Sequence, residues 1–231
     1  MTRRARLKTA IIAHPMLAVV IVGSCLAAVA GASELIAREV VADKVRDESD
    51  LVADEAVIQQ RGGWALSALT GQRLPEVGIA SDDATLGPFK GVSLRLEVYG
   101  LRLGSSSEFE SIHGLAIVDA EALIGVFKRA LPAVAVTSLK MDSKQNTISM
   151  TYSVAGNSKQ VELRPETSSA GEFSFVPADV NPGGATLDRL GTALDPSTGP
   201  AEALGLKVEA VAVLGDELHL ILDGGVGKLR W

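Results

Sequence analysis

The chain has a single cysteine, Cys25, only three histidines, and aromatic residues at 4% of its length. With one cysteine, no internal disulfide can form, so the fold must rest on buried apolar area. Few rings mean few stacking platforms for sugars or bases, and interiors built from Val, Leu, Ile and Ala suit acyl chains better. The net charge is -6. Basic residues are dispersed after the first few positions, which leaves a nucleic-acid surface without electrostatic support. No Gly-x-Ser-x-Gly elbow is present, and only His113 and His219 follow position 33. A Ser-His-Asp arrangement is therefore not expected.

Charge is also missing near the start, and that absence carries the most information. Arg3, Arg4, Arg6 and Lys8 are followed by about 25 residues without a formal charge, Thr9 to Ser33. Residues 1–33 read as a signal peptide or an N-terminal membrane anchor, with the basic end held in the cytoplasm. Everything from Glu34 onward is then expected on the outer face of the plasma membrane or in a periplasm-like envelope space. Ala30 and Ala32 offer an Ala-x-Ala cleavage site. Val22-Gly23-Ser24-Cys25 has the form of a lipobox, but Leu26 to Ala30 continue the apolar run where a polar tether is expected. Cys25 then reads as a small residue within a membrane helix.

Residues 34–231 are expected to form one domain, with no convincing linker. Glu34 to about Leu51 reads as an amphipathic helix whose stripe contains Leu35, Ile36, Val40, Val41, Val45 and Val52. Ala56 to Gln60 is a short extended piece, and Trp64 to Leu69 a brief amphipathic turn with Trp64, Leu66 and Leu69 aligned. From Leu74 the period becomes two. Val77, Ile79 and Ser81 alternate with polar neighbours, and after Gly87-Pro88 the residues Val92, Leu94, Leu96 and Val98 share one face. Gly100 shifts the phase to Leu101 and Leu103, which predicts a bulge or bend and a curved sheet.

Asp119 is a good N-cap for a helix through Leu131, with Leu123, Ile124, Phe127 and Leu131 in one stripe ended by Pro132. Val134 to Met141 and Thr147 to Val154 predict a hairpin with Ile148, Met150, Tyr152 and Val154 on its dry side. Gln160 to Arg164 and Glu172 to Val176 continue the antiparallel pattern. A second short helix is expected over about Thr186 to Leu194, then a closing hairpin of Leu206 to Leu214 and Glu217 to Leu222 about Gly215-Asp216.

Several chemical constellations have plainer readings. Glu108 and Glu110 share a strand face that His113 does not, so a metal or acid/base cluster is not supported. Glu217 and His219 share a face, but two groups are too few for zinc. Asp82-Asp83 reads as a turn, because neighbouring strand side chains point apart. Gly224-Gly225-Val226-Gly227-Lys228 lacks the spacing and following helix of a phosphate loop. Trp64 and Trp231 are either interfacial anchors or packing residues. No metal or other cofactor is expected.

Particular segments nevertheless resemble a family. Ala37-Arg38-Glu39-Val40-Val41, the stretch Gly62-Gly63-Trp64-Ala65-Leu66-Ser67-Ala68-Leu69-Thr70-Gly71, the strand Leu74-Pro75-Glu76-Val77-Gly78-Ile79 with Asp82-Asp83-Ala84-Thr85-Leu86 after it, and the terminal hairpin are similar to the LmeA family of actinobacterial cell-envelope phospholipid-binding proteins. The chain departs from that family at Trp64-Ala65, where members often carry a Phe-containing segment. The resemblance implies an α+β fold of the tubular lipid-binding kind, in which a strongly curved antiparallel sheet wraps amphipathic helices. It also implies phospholipid binding or transfer in support of envelope or lipoglycan biosynthesis.

The residues allow the same reading. The expected ligand is the acyl chains of a phospholipid, the expected surface is the plasma membrane, and catalysis is not expected. Leu66, Leu69, Ile79, Val92, Leu94, Leu96, Leu123 and Phe127 are the expected wall positions. A non-catalytic scaffold for a protein partner of unspecified kind, and an enzyme acting on lipid-linked glycans through Asp82, Glu108 or Glu110, are the alternatives.

Overall fold

A computed structural model describes residues 29–47, 55–104, 107–132, 134–154, 156–178, 201 and 204–229. The expected leader before residue 29, the helix over Thr186 to Leu194, Val52 and Trp231 lie outside these residues. No described helix is long and apolar enough to cross a membrane.

The fold is α+β and mostly antiparallel sheet. Helix α1 covers 29–47, followed by β1 (Val57–Arg61), α2 (Ala65–Leu69), β2 (Arg73–Leu86), β3 (Phe89–Arg102), β4 (Ser107–Phe109) and β5 (Ser111–Asp119). Helix α3 (Ala120–Ala130) leads to β6 (Ala135–Asp142), β7 (Thr147–Val154), β8 (Asn157–Thr167) and β9 (Phe173–Pro177), and the chain closes with β10 (Lys207–Leu214), β11 (Glu217–Gly224) and β12 (Gly227–Leu229).

The single curved sheet that the resemblance implies is in fact two. An eight-stranded sheet runs β1-β2-β3-β5-β11-β10, with β4 pairing β3 and β12 beside this path, and β6-β7-β8-β9 form a separate four-stranded meander. The division falls at α3. Leaving β5, the chain folds back as a helix packed on β3 and β5 before β6 begins the meander, so the later strands pair among themselves. Strands β10 and β11 return to the first sheet, where β11 pairs β5 along Glu217–Asp119 to Gly224–Ile112. Among the described strands β1 does not pair β10, so the large sheet is open rather than a closed barrel.

Two bulges bend the long β2–β3 hairpin. Asp82 and Asp83 together oppose Ser93, and the extra residue is repaid at Gly91, between the pairs Ala84–Val92 and Thr85–Lys90. The expected turn at Asp82-Asp83 is therefore a mid-strand bulge, where both carboxylates reach water without breaking the ladder. The turn itself is at Gly87-Pro88, as the sequence indicates.

Of the bulge or bend expected at Gly100, the β2–β3 ladder shows no bulge. The pairs Leu74–Leu101 and Glu76–Tyr99 keep one register on either side of it. Its φ of 65° instead swings Leu101 inward, so Val98 and Leu101 are both buried.

The helix after Asp119 forms as its sequence dictates. The Asp119 side chain accepts the Ala122 N–H at 2.7 Å, Glu121 lies in the first turn, and Lys128 and Arg129 lie in the last. One hydrophobic cluster joins α1, α3 and the inner faces of both sheets.

Candidate functional site

Six of the eight expected wall residues are buried, four of them on the inner face of the large sheet and two on α3. Ile79 pairs with Leu96 across β2 and β3, Leu94 lies opposite Ser81, and Val92 opposite Ala84. Leu123 and Phe127 belong to the buried side of α3, which packs on β3 and β5. All six are at most 4% exposed, and they merge with the core cluster. The face is aliphatic, as alternation implies, and its side chains are packed against neighbours.

Leu66 and Leu69 are not part of that face. Helix α2 buries Ala65 and Ala68 and turns its two leucines to solvent, at 38% and 44% exposure. Small residues let this short helix sit close to β2, so the packed side is marked by alanine at i and i+3 rather than by the larger leucines.

Phe89, Phe173 and Phe175, which with Phe127 unite the two sheets, escaped the sequence reading. The Phe127 ring is 5.5 Å from Phe175, Phe175 is 4.8 Å from Phe173, and Phe173 is 6.4 Å from Phe89, centroid to centroid. These rings connect α3, β9 and the start of β3. The alternation Phe173-Ser174-Phe175 was the available signal, since both rings of such a strand fall on one side.

A second feature lies where α1 meets α2. The Glu34 carboxylate accepts the Ala65 N–H at 2.8 Å and the Leu66 N–H at 3.3 Å, and Arg38 donates to it at 3.1 Å. The Ala65 N–H is the main reason that its pKa lies below the ordinary carboxylate value; burial opposes the effect, and Arg38 and the Leu66 N–H reinforce it. Beyond this junction α1 buries Ala37, Val41 and Val45. The expected stripe is thus shifted around the helix, since Leu35, Ile36 and Val40 remain exposed.

The outer face of the large sheet carries a polar belt. Arg61 on β1 donates to Glu76 and Glu97, each at 3.0 Å, and both bonds hold its guanidinium in the charged form. The Tyr99 hydroxyl donates to Glu97 at 2.9 Å, which raises the phenol pKa. Tyr99 meets His113 edge-on at 5.8 Å, and His113 Nδ1 lies 2.6 Å from Asp223. Beside this belt Gly78 and Ala80 floor a depression of about 420 Å³ near Gln59, Arg61 and Arg95. Another, of about 360 Å³, lies among Lys90, Asp119, Glu121 and Arg129.

The candidate acids do not converge. Glu108 pairs with Lys228 at 3.7 Å, Glu110 with Arg73, and Asp82 lies at the β2 bulge. Glu217 and His219 are 3.2 Å apart on the solvent side of β11, and the described residues contain no group of three or more His, Cys, Asp or Glu side chains placed to hold a metal. Lys228 is on β12, in a glycine-flanked strand rather than a phosphate loop.

Comparison of the chain with protein-family models, with curated proteins and with solved structures finds no match.

Proposed function

We propose that this chain is an exported, membrane-associated phospholipid-binding protein, with lipid transfer as one form of that role, supporting cell-envelope or lipoglycan biosynthesis. The reading is carried by the aliphatic face of Ile79, Val92, Leu94 and Leu96 on β2 and β3, together with Leu123 and Phe127 on the buried side of α3, the helix that packs on this sheet. In this proposal the bent sheet and its covering helix form the acyl-chain site of a tubular lipid-binding domain, in keeping with the LmeA-like segments. Each methylene transferred from water to such a face contributes about 0.8 kcal/mol, so acyl chains dominate affinity and headgroup contacts are secondary. Because the wall side chains are packed, this reading requires them to part before acyl chains enter.

A second reading has its own observation. The near-complete burial of those six residues also suits a scaffold that is closed on itself and recognises a protein partner at a sheet edge, with no lipid inside.

Mass spectrometry of organic extracts from the purified protein, set against a mock purification, separates the two. Stoichiometric phospholipid supports the carrier and names its headgroup class. A folded protein that holds no lipid and takes up none from added phospholipid overturns it in favour of the scaffold.

A further inference from the structure

The geometry points to an interfacial footprint: the corner formed by α1 and α2 lies in the headgroup layer of a phospholipid bilayer, with Trp64, Leu66, Leu69, Leu35 and Ile36 as its contacts. The inference rests on the membrane-associated reading above and specifies which surface of the protein meets the membrane.

Exposed large apolar residues are concentrated on these two helices and the residue before α2. Of the twelve among the described residues, seven (Val29, Leu35, Ile36, Val40, Trp64, Leu66 and Leu69) belong to α1, to α2 or to the residue that precedes α2. Single exposed apolar residues are ordinary on protein surfaces, whereas a cluster asks for a partner. The Glu34 bonds to the Ala65 and Leu66 N–H groups bring the start of α1 against the start of α2. Leu69 lies three positions beyond Leu66, so both leucines are on the solvent side of α2.

The sequence indicates which partner. The charge-free run Thr9 to Ser33 passes directly into α1, and Leu35 and Ile36 follow it within the next turn. At a helical rise of about 1.5 Å per residue, these side chains lie within roughly 5 Å of the end of that run. Where that run is retained as the anchor of the membrane-associated reading, this corner is held at the interface. Glu34 is the first formal charge after the run, and its carboxylate is taken up by two backbone N–H groups and Arg38. The bilayer-proximal charge is thereby satisfied within the protein. An exposed indole completes the surface, since tryptophan is enriched at the headgroup level.

The test uses the full chain carrying Trp231→Phe, so that Trp64 is the single tryptophan and is excited selectively over the tyrosines, in vesicles of equal parts phosphatidylcholine and phosphatidylglycerol. The expected result is blue-shifted Trp64 emission, weak quenching by aqueous acrylamide, and strong quenching by phospholipid brominated near the glycerol. The double substitution Leu66→Asp with Leu69→Asp should reduce the brominated-lipid quenching several-fold while the protein still floats with the vesicles. If the chain floats but Trp64 stays open to acrylamide and insensitive to brominated lipid, the footprint is wrong and membrane association stands. If Trp64 is shielded from both quenchers and the protein cross-links to itself, the corner is an interface between copies. If the chain does not float, the footprint and the membrane-associated reading fail together.

Discussion

The Phe127 ring on α3 lies 5.5 Å from the Phe175 ring on β9, and this contact helps join the helix on the large sheet to the separate four-stranded meander. Both residues are at most 4% exposed. Phe127→Ala should cost about 3–5 kcal/mol, because it removes a buried ring that two layers share and leaves a cavity. Urea denaturation read by circular dichroism measures this directly. Phe127→Leu should leave a folded protein, and in the carrier reading it changes the amount of phospholipid recovered per protein. In the scaffold reading the same variant changes stability alone.

Leu94 and Leu96 give a sharper test of the wall assignment. Both are nearly fully buried on β3, so Leu94→Asp or Leu96→Asp places a carboxylate among aliphatic side chains without a charged partner. From the wall assignment alone, lipid retention should fall before folding does. The packing of these positions gives the opposite expectation: unfolding or loss of soluble protein, seen as a collapsed near-ultraviolet signal. Folded aspartate variants that have lost bound lipid would restore the simple groove picture.

Much of this architecture was legible in the sequence, and the failures share a cause. Strict alternation marked β3 and β7, and Asp119 with the Leu123–Phe127 stripe marked α3, because local geometry alone sets those signals. What could not be read was which neighbour each apolar face meets. Val154 continues the dry side of β7 in sequence but is exposed at the strand end, and Leu66 and Leu69 lose the inner side of α2 to alanines. Likewise α1 buries Ala37, Val41 and Val45 rather than the larger Leu35 and Ile36. The division into two sheets depends on long-range pairing of β11 with β5, which no local period encodes.

Gly100 should not tolerate a side chain. Its φ is 65°, and a Cβ there would come within 2.6 Å of the Glu110 side chain, which itself pairs with Arg73. The backbone cost alone is about 1–2 kcal/mol for an L-residue. Gly100→Ala should lower the denaturation midpoint by at least that equivalent. Adding Glu110→Ala should recover only the steric part, and complete recovery in the double variant would show that the backbone conformation is not under strain.

The outer-face belt should contribute little. His113 and Asp223 are each about half exposed, so solvent screens their 2.6 Å contact. Asp223→Asn should change stability by less than about 1 kcal/mol and leave bound lipid unchanged. A larger loss in either measurement would mark the belt as a functional surface rather than a solvated sheet face.

Glu34 should give the α1–α2 corner a dependence on acid. Its carboxyl is held below the ordinary value of 4.5, first by the Ala65 N–H and further by Arg38 and the Leu66 N–H. A group with a depressed folded-state pKa stabilises the fold above its unfolded pKa, and that contribution is lost as pH falls through the lower, folded value. Stability measured by denaturation should therefore decline on acidification below about pH 4.5, with Glu34 one contributor. Glu34→Gln keeps the shape but removes the charge facing the first N–H groups of α2. It should cost about 1 kcal/mol at neutral pH, in the range of lost helix caps, and the difference from the parent should vanish in strong acid. An unchanged difference across the acid limb would mean that the Ala65 and Leu66 bonds do not depend on the carboxylate charge. The corner would then be held by the burial of Ala37, Val41, Ala65 and Ala68 instead.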